Sequence, residues 1–103
     1  MKTLHLNLKR KWFGMIVSGE KTEEYREIKP YWDKVFIDGK IKIKGKLYHP
    51  TNVIICFSNG YAKDRRQEFY LCYKVRVSTG RPEWGAVPGK QYHVISLCGL
   101  MPF

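Results

Sequence analysis

Lys21, Glu24 and Arg26 lie close together in the chain, and each brings a different chemistry. Arginine supplies a planar fork of donors, glutamate an acceptor or general base, and lysine a movable donor or nucleophile. Four of the nine acidic residues (Glu20, Glu23, Glu24, Glu27) crowd into the same window. An extended backbone over Thr22 to Ile28 puts Thr22, Glu24, Arg26 and Ile28 on one face, with Glu23, Tyr25 and Glu27 on the other. Lys21, in the preceding turn, can swing over the Glu24 face. Such a trio suits a small anionic or amide-bearing ligand. The plainer reading is an ion-pair ladder on a solvated strand, which contributes little to stability. If the face turns inward, each charge costs on the order of several kcal/mol unless paired, and charges so placed tend to have a use.

A second constellation is aromatic. Tyr31, Trp32, Tyr61 and Trp84 fall in expected loops or turns. Nucleobases stack on aromatic planes at about 1–3 kcal/mol each, and a basic groove guides the backbone. The plainer role for Trp32 or Trp84 is to cap the core. Candidate phosphate contacts are Arg10, Lys11, Arg65 and Arg66, with Lys9, Lys63 and the row Lys40, Lys42, Lys44 and Lys46 beside them. That lysine row equally serves to discourage edge-to-edge strand pairing. The chain carries 19 basic and 9 acidic residues, a net +10. An excess of this size favours polyanion partners.

Composition removes other classes. At 103 residues the chain is one domain, 1–103, and its 44% hydrophobic content is that of a globular protein. No apolar run is long enough to span a membrane, and the alternating N-terminus does not read as a signal peptide. Cys56, Cys72 and Cys98 are odd in number and widely spaced, so free packing thiols in a reducing cytoplasm are expected rather than a zinc or redox site. His5, His49 and His93 lack the spacing of metal ligands, and no cofactor fingerprint is present.

The elements that must position these groups are short. Met1–Leu8 alternates as a strand with Leu4, Leu6 and Leu8 on one face. Arg10–Ser18 carries a helical apolar stripe through Trp12, Phe13, Met15, Ile16 and Val17, stopped at Ser18-Gly19. A second strand covers Thr22–Ile28 and ends at Lys29-Pro30, and Pro30 opens a short turn. Gly39–Lys46 reads as a basic edge strand or hairpin arm. Val53–Phe57 is a strand buried on both faces, closed by Ser58-Asn59-Gly60. Ala62–Gln67 reads as a loop or one helical turn. Phe69–Val77 alternates Phe69, Leu71, Tyr73, Val75 and Val77 against Tyr70, Cys72, Lys74 and Arg76; Gln91–Leu100 is the last strand. Five or six strands with one early helix predict an α+β fold built on a small mixed β-barrel.

The string Gly19-x-Lys21-Thr22-x-Glu24-x-Arg26, after a strand and a Trp12-Phe13 helix, resembles the signature of the ASCH family, a branch of the PUA-like barrels. Lys29-Pro30-Tyr31-Trp32, Phe57-Ser58-x-Gly60-Tyr61 and Glu83-Trp84-Gly85 are similar to segments of that family. The resemblance implies a PUA-like barrel with a cleft beside Lys21–Arg26, and an association with RNA binding or the processing of RNA and modified nucleosides. Some small members hydrolyse N4-acylated cytidine with a lysine at the place of Lys21, a threonine three residues later and a distant glutamate. Here Glu24 stands in place of the threonine, and Glu68 and Glu83 are candidates for the distant residue.

The expected function is an RNA-, nucleotide- or nucleoside-binding domain. Arg26 takes an acceptor or phosphate oxygen, Glu24 accepts from a base amine, and Trp32 or Trp84 stacks. Ser58, Asn59, Tyr61 and Glu83 complete the binding set. The alternatives are an amidohydrolase or ribonuclease using Lys21 and Glu24, and a basic face for an acidic protein partner. No metal, cofactor or membrane is expected.

Overall fold

The computed structural model describes residues 1–61 and 65–100. Ala62 and Lys63, read above as loop and phosphate contact, lie outside them. Strand β1, Lys2–Leu8, buries Leu6 and Leu8 as its alternation requires. Helix α1, Arg10–Val17, buries Phe13 and Ile16. It stops at Ser18, whose backbone N–H donates to the Gly14 carbonyl, and Gly19 follows at φ 84°. Glycine takes that conformation without a Cβ penalty.

Strand β2, Glu23–Glu27, leads to helix α2, Pro30–Asp33, with proline in its first turn. Three short strands follow: β3 (Phe36–Ile37), β4 (Lys40–Ile43) and β5 (Lys46–Tyr48). Strand β6 is Val53–Asn59, β7 is Gln67–Thr79 and β8 is Gln91–Leu100. A five-stranded sheet, ordered β1-β6-β7-β8-β2, curls into a half-barrel. It is mixed: β1 runs parallel to β6, and the other pairs are antiparallel. A separate sheet is ordered β3-β4-β5.

Residues 39–46 thus form not one arm but parts of two tight hairpins. Asp38-Gly39 and Lys44-Gly45 both sit at positive φ (49° and 76°, 49° and 80°). That pair of left-handed residues is the two-residue turn whose twist suits a hairpin, and Asp-Gly is its strongest sequence signal. The lysine row is divided accordingly: Lys40 and Lys42 lie on β4, Lys44 in the turn and Lys46 on β5, all exposed.

The alternation over Phe69–Val77 does not map onto one buried face. Tyr70 and Cys72 point into the core, and after them Val75 does, while Tyr73 and Val77 are about half exposed. The register against β8 shifts at Cys72 and again before Lys74. An extra residue in one strand moves every later side chain to the opposite face. Strand β8 is covered on both sides. Ile95 joins the main core with Leu6, Phe13, Ile55 and Phe57, and Val94 packs with Tyr25, Ala86 and Tyr92 in a smaller cluster.

The cysteines divide by depth. Cys56 and Cys72 are buried and Cys98 is exposed; all three are free. Burial pushes the Cys72 thiol up to about 11 and raises Cys56 as well. Since the thiolate is the nucleophile, iodoacetamide near neutral pH is expected to alkylate Cys98 alone until the protein unfolds. Peptide mass mapping reads this out. Labelling of Cys72 as fast as Cys98 would contradict the packing. Among the described residues no helix is long and apolar enough to cross a membrane.

Candidate functional site: a tryptophan-walled cleft at the open edge of the sheet

The two edge strands, β1 and β2, face each other across the opening of the half-barrel. Arg26 bridges them. Its Nη2 donates to the Asn7 carbonyl of β1 (3.0 Å), and its Nη1 donates to Glu24 Oε2 (2.7 Å) and to the Tyr25 carbonyl (2.9 Å). Glu24 is buried, and its Oε1 accepts from the Tyr25 backbone N–H at 3.0 Å and pairs with Lys21 Nζ at 3.0 Å. Lys21 also donates to the Glu23 carbonyl, and its ammonium lies 4.5 Å from the Tyr25 ring centroid and 5.8 Å from that of Trp12.

The three charges therefore converge, in the order Lys21–Glu24–Arg26, but not at equal depth. The Lys21 side chain has no exposed surface, while that of Arg26 is 14% exposed. Burial pulls the Lys21 ammonium below its ordinary value of 10.5; Glu24 opposes the shift and Arg26 adds to it. Glu24 and Arg26 line a cleft of about 440 Å³, and Lys21, paired with Glu24, is not among its lining residues. That volume is in the range of small-ligand sites.

The walls of this cleft are indoles. Trp12 from α1, Trp32 from α2 and Trp84 from the 3-10 turn Pro82–Trp84 all line it, and these are the only tryptophans in the chain. Each carries a cation: Lys11 over Trp12 (4.8 Å), Arg26 over Trp32 (5.2 Å) and Arg81 over Trp84 (4.7 Å). Gly85 brings the Trp84 loop against Trp12. It sits at φ 100°, and a Cβ there would lie 2.9 Å from the Trp12 ring. Helix α2 is held from both sides, by the Arg26–Trp32 contact and by His93, whose Nε2 lies 2.7 Å from Asp33 Oδ1. His93 in turn packs on Phe36, which stacks on Trp32.

Of the residues singled out in the sequence, Glu24, Arg26, Trp32, Trp84 and Lys9 line the cleft, and Lys11, over the ring of Trp12, does not. Ser58, Asn59, Tyr61, Glu83, Arg10, Arg65 and Arg66 are not among its lining residues. Ser58 is buried and accepts from Gln67 Nε2, Tyr61 and Glu83 are exposed, and Arg66 pairs with Glu68. Trp12 was hidden within a helical apolar stripe. Its place on the flank of the Phe13–Ile16 face is what directs it to the cleft. Lys29, part of the Lys29-Pro30-Tyr31-Trp32 segment, also lines the cleft, as do Asn7 and Lys90, which carried no sequence signal beyond their type. Lys90 pairs with Glu27 at 3.3 Å.

The described residues contain no group of three or more His, Cys, Asp or Glu placed to hold a metal. The arrangement brings indole surface, a guanidinium–carboxylate pair and the cations Lys9, Lys29 and Lys90 to one cleft, groups that suit a flat, anionic ligand. The chain matches no protein-family model, no curated protein and no solved structure.

Proposed function

We propose that this protein binds RNA or a nucleotide, holding one base between the indoles of the cleft with its edge against Glu24 and Arg26. The observation that carries this reading is that all three tryptophans of the chain wall the cavity whose polar floor is the Glu24–Arg26 pair. Stacking surface, a hydrogen-bonding edge and the cations Lys9, Lys29 and Lys90 are what a single nucleotide requires. The ASCH-type, PUA-like reading of the signature around Lys21–Arg26 agrees with a nucleic-acid ligand in this position.

A hydrolase reading asks more of the same residues. Lys21 would have to leave both Glu24 and the Glu23 carbonyl to reach a substrate, and its side chain has no exposed surface. A binding role uses the site as it stands.

Titration with single-stranded RNA at increasing salt tests the proposal. With Lys9, Lys29 and Lys90 each neutralising one phosphate, log affinity should fall with log salt at a slope of about −2, from roughly −0.7 per phosphate on single strands. Undetectable binding at low ionic strength would remove this function.

A further inference from the structure

We infer that the cleft selects bases with an amidine edge, an exocyclic amine beside an acceptor ring nitrogen, as in adenine and cytosine. The inference rests on the nucleotide-binding reading above and comes from counting what the protein has already used.

A carboxylate oxygen has two acceptor sites. Glu24 Oε1 takes the Tyr25 N–H and the Lys21 ammonium and is full. Glu24 Oε2 takes one bond from Arg26 Nη1, so one acceptor site is left. A guanidinium has five N–H groups. Arg26 Nη1 spends both of its N–H groups on Glu24 and the Tyr25 carbonyl. Nη2 spends one on the Asn7 carbonyl. One Nη2–H and the Nε–H have no partner among the described residues. The pair lining the cleft thus keeps one acceptor site on Glu24 and two N–H donors on Arg26 for a ligand, held in place by backbone groups of two strands, β1 and β2, and by Lys21.

An amidine edge fills this pattern. Its amine donates to Glu24 Oε2 and its ring nitrogen accepts from Arg26. Guanine has an amine beside an acceptor only at its 2-amine and N3, on the side the ribose flanks, and its Watson–Crick edge sets two donors side by side, N1–H and the 2-amine. The second would meet Glu24 Oε1, which has no acceptor site left. The uracil edge flanks its single N3–H with two carbonyls. Seating that N–H on Oε2 directs one carbonyl to Arg26 and the other toward a carboxylate, acceptor against acceptor. Where a stacked base displaces water from the cleft, an unsatisfied or opposed polar group is strongly disfavoured.

The test is calorimetric titration of the full chain with AMP, CMP, GMP and UMP at one salt concentration, so that the phosphate is common to all. AMP and CMP are expected to bind about tenfold or more tighter than GMP and UMP. N6,N6-dimethyl-AMP, which keeps the ring and phosphate but has no amine N–H, is expected to fall to the level of UMP. Equal affinity across the panel, a preference for GMP or UMP, or undiminished binding of the dimethyl compound would overturn the inference and leave the nucleotide reading in place. Binding by none of the five would overturn both. Because the panel varies the ligand on the unaltered protein, the outcome does not depend on whether a Glu24 variant folds.

Discussion

Glu24→Ala is expected to destabilise the protein by about 3–5 kcal/mol, because it leaves the Lys21 ammonium buried with its carboxylate partner removed. In a domain of this size that is a large part of a total stability of about 5–15 kcal/mol. Urea or thermal denaturation reads it directly. Lys21→Met should cost less, since it removes a desolvated charge and keeps the stem's packing, and since Glu24 retains Arg26 and the Tyr25 N–H. The double variant Lys21→Met, Glu24→Gln should be more stable than Glu24→Ala. A Glu24→Ala cost under about 1 kcal/mol would place the pair in the class of exposed ion pairs instead.

The same pair has a pH signature with a defined sign. The folded-state pKa of Lys21 lies below 10.5, held down chiefly by burial. Between that lowered value and 10.5 the unfolded chain binds the additional proton, so the Lys21 contribution to stability rises with pH across this window. Below the window both states are protonated and the folded protein bears the full cost of the buried charge. Stability of the wild type minus that of Lys21→Met should therefore increase as pH is raised toward 10. The buried Tyr25 hydroxyl, whose pKa is raised, acts in the opposite direction at higher pH, but it is present in both proteins and cancels. A flat difference would mean that Lys21 is solvated.

The second large effect is on binding. Trp84→Ala and Trp32→Ala should each weaken nucleotide binding by about 1–3 kcal/mol, roughly fivefold to more than a hundredfold. Neither side chain belongs to the fully buried set of the main core, so their stability costs should stay well below that of Glu24→Ala. Direct titration of each variant measures the loss, and denaturation confirms that the fold is kept. Tyr61→Ala is the control. Tyr61 is 84% exposed and does not line the cleft, so its removal should leave affinity unchanged. If Tyr61 mattered and the tryptophans did not, the ligand would lie elsewhere.

The grouping of Lys21, Glu24 and Arg26 was legible from their spacing on an extended strand, and so were β1, α1, β6 and the basic character of the surface. Where legibility failed, the cause was local. The β7 bulge is one residue, and the apolar alternation from Phe69 to Val77 runs through it unbroken, so the pattern does not betray the shift. The hairpins of β3, β4 and β5 were written in Asp38-Gly39 and Lys44-Gly45, but the lysine alternation between those turns imitates a single strand.

Side-chain type and periodicity determined that this chain forms a small, strand-rich, strongly basic domain and that a Lys–Glu–Arg trio sits together at a helix-to-strand junction. Those properties depend on neighbours in sequence, which spacing reports. Only the tertiary structure decided that Arg26 ties β2 to β1, that Lys21 lies buried and paired with Glu24, and that Trp12, Trp32 and Trp84 meet around one cleft. The three indoles come from elements separated by most of the chain. What brings them together is the curl of the sheet, and no local pattern encodes which distant segments such a curl will place side by side.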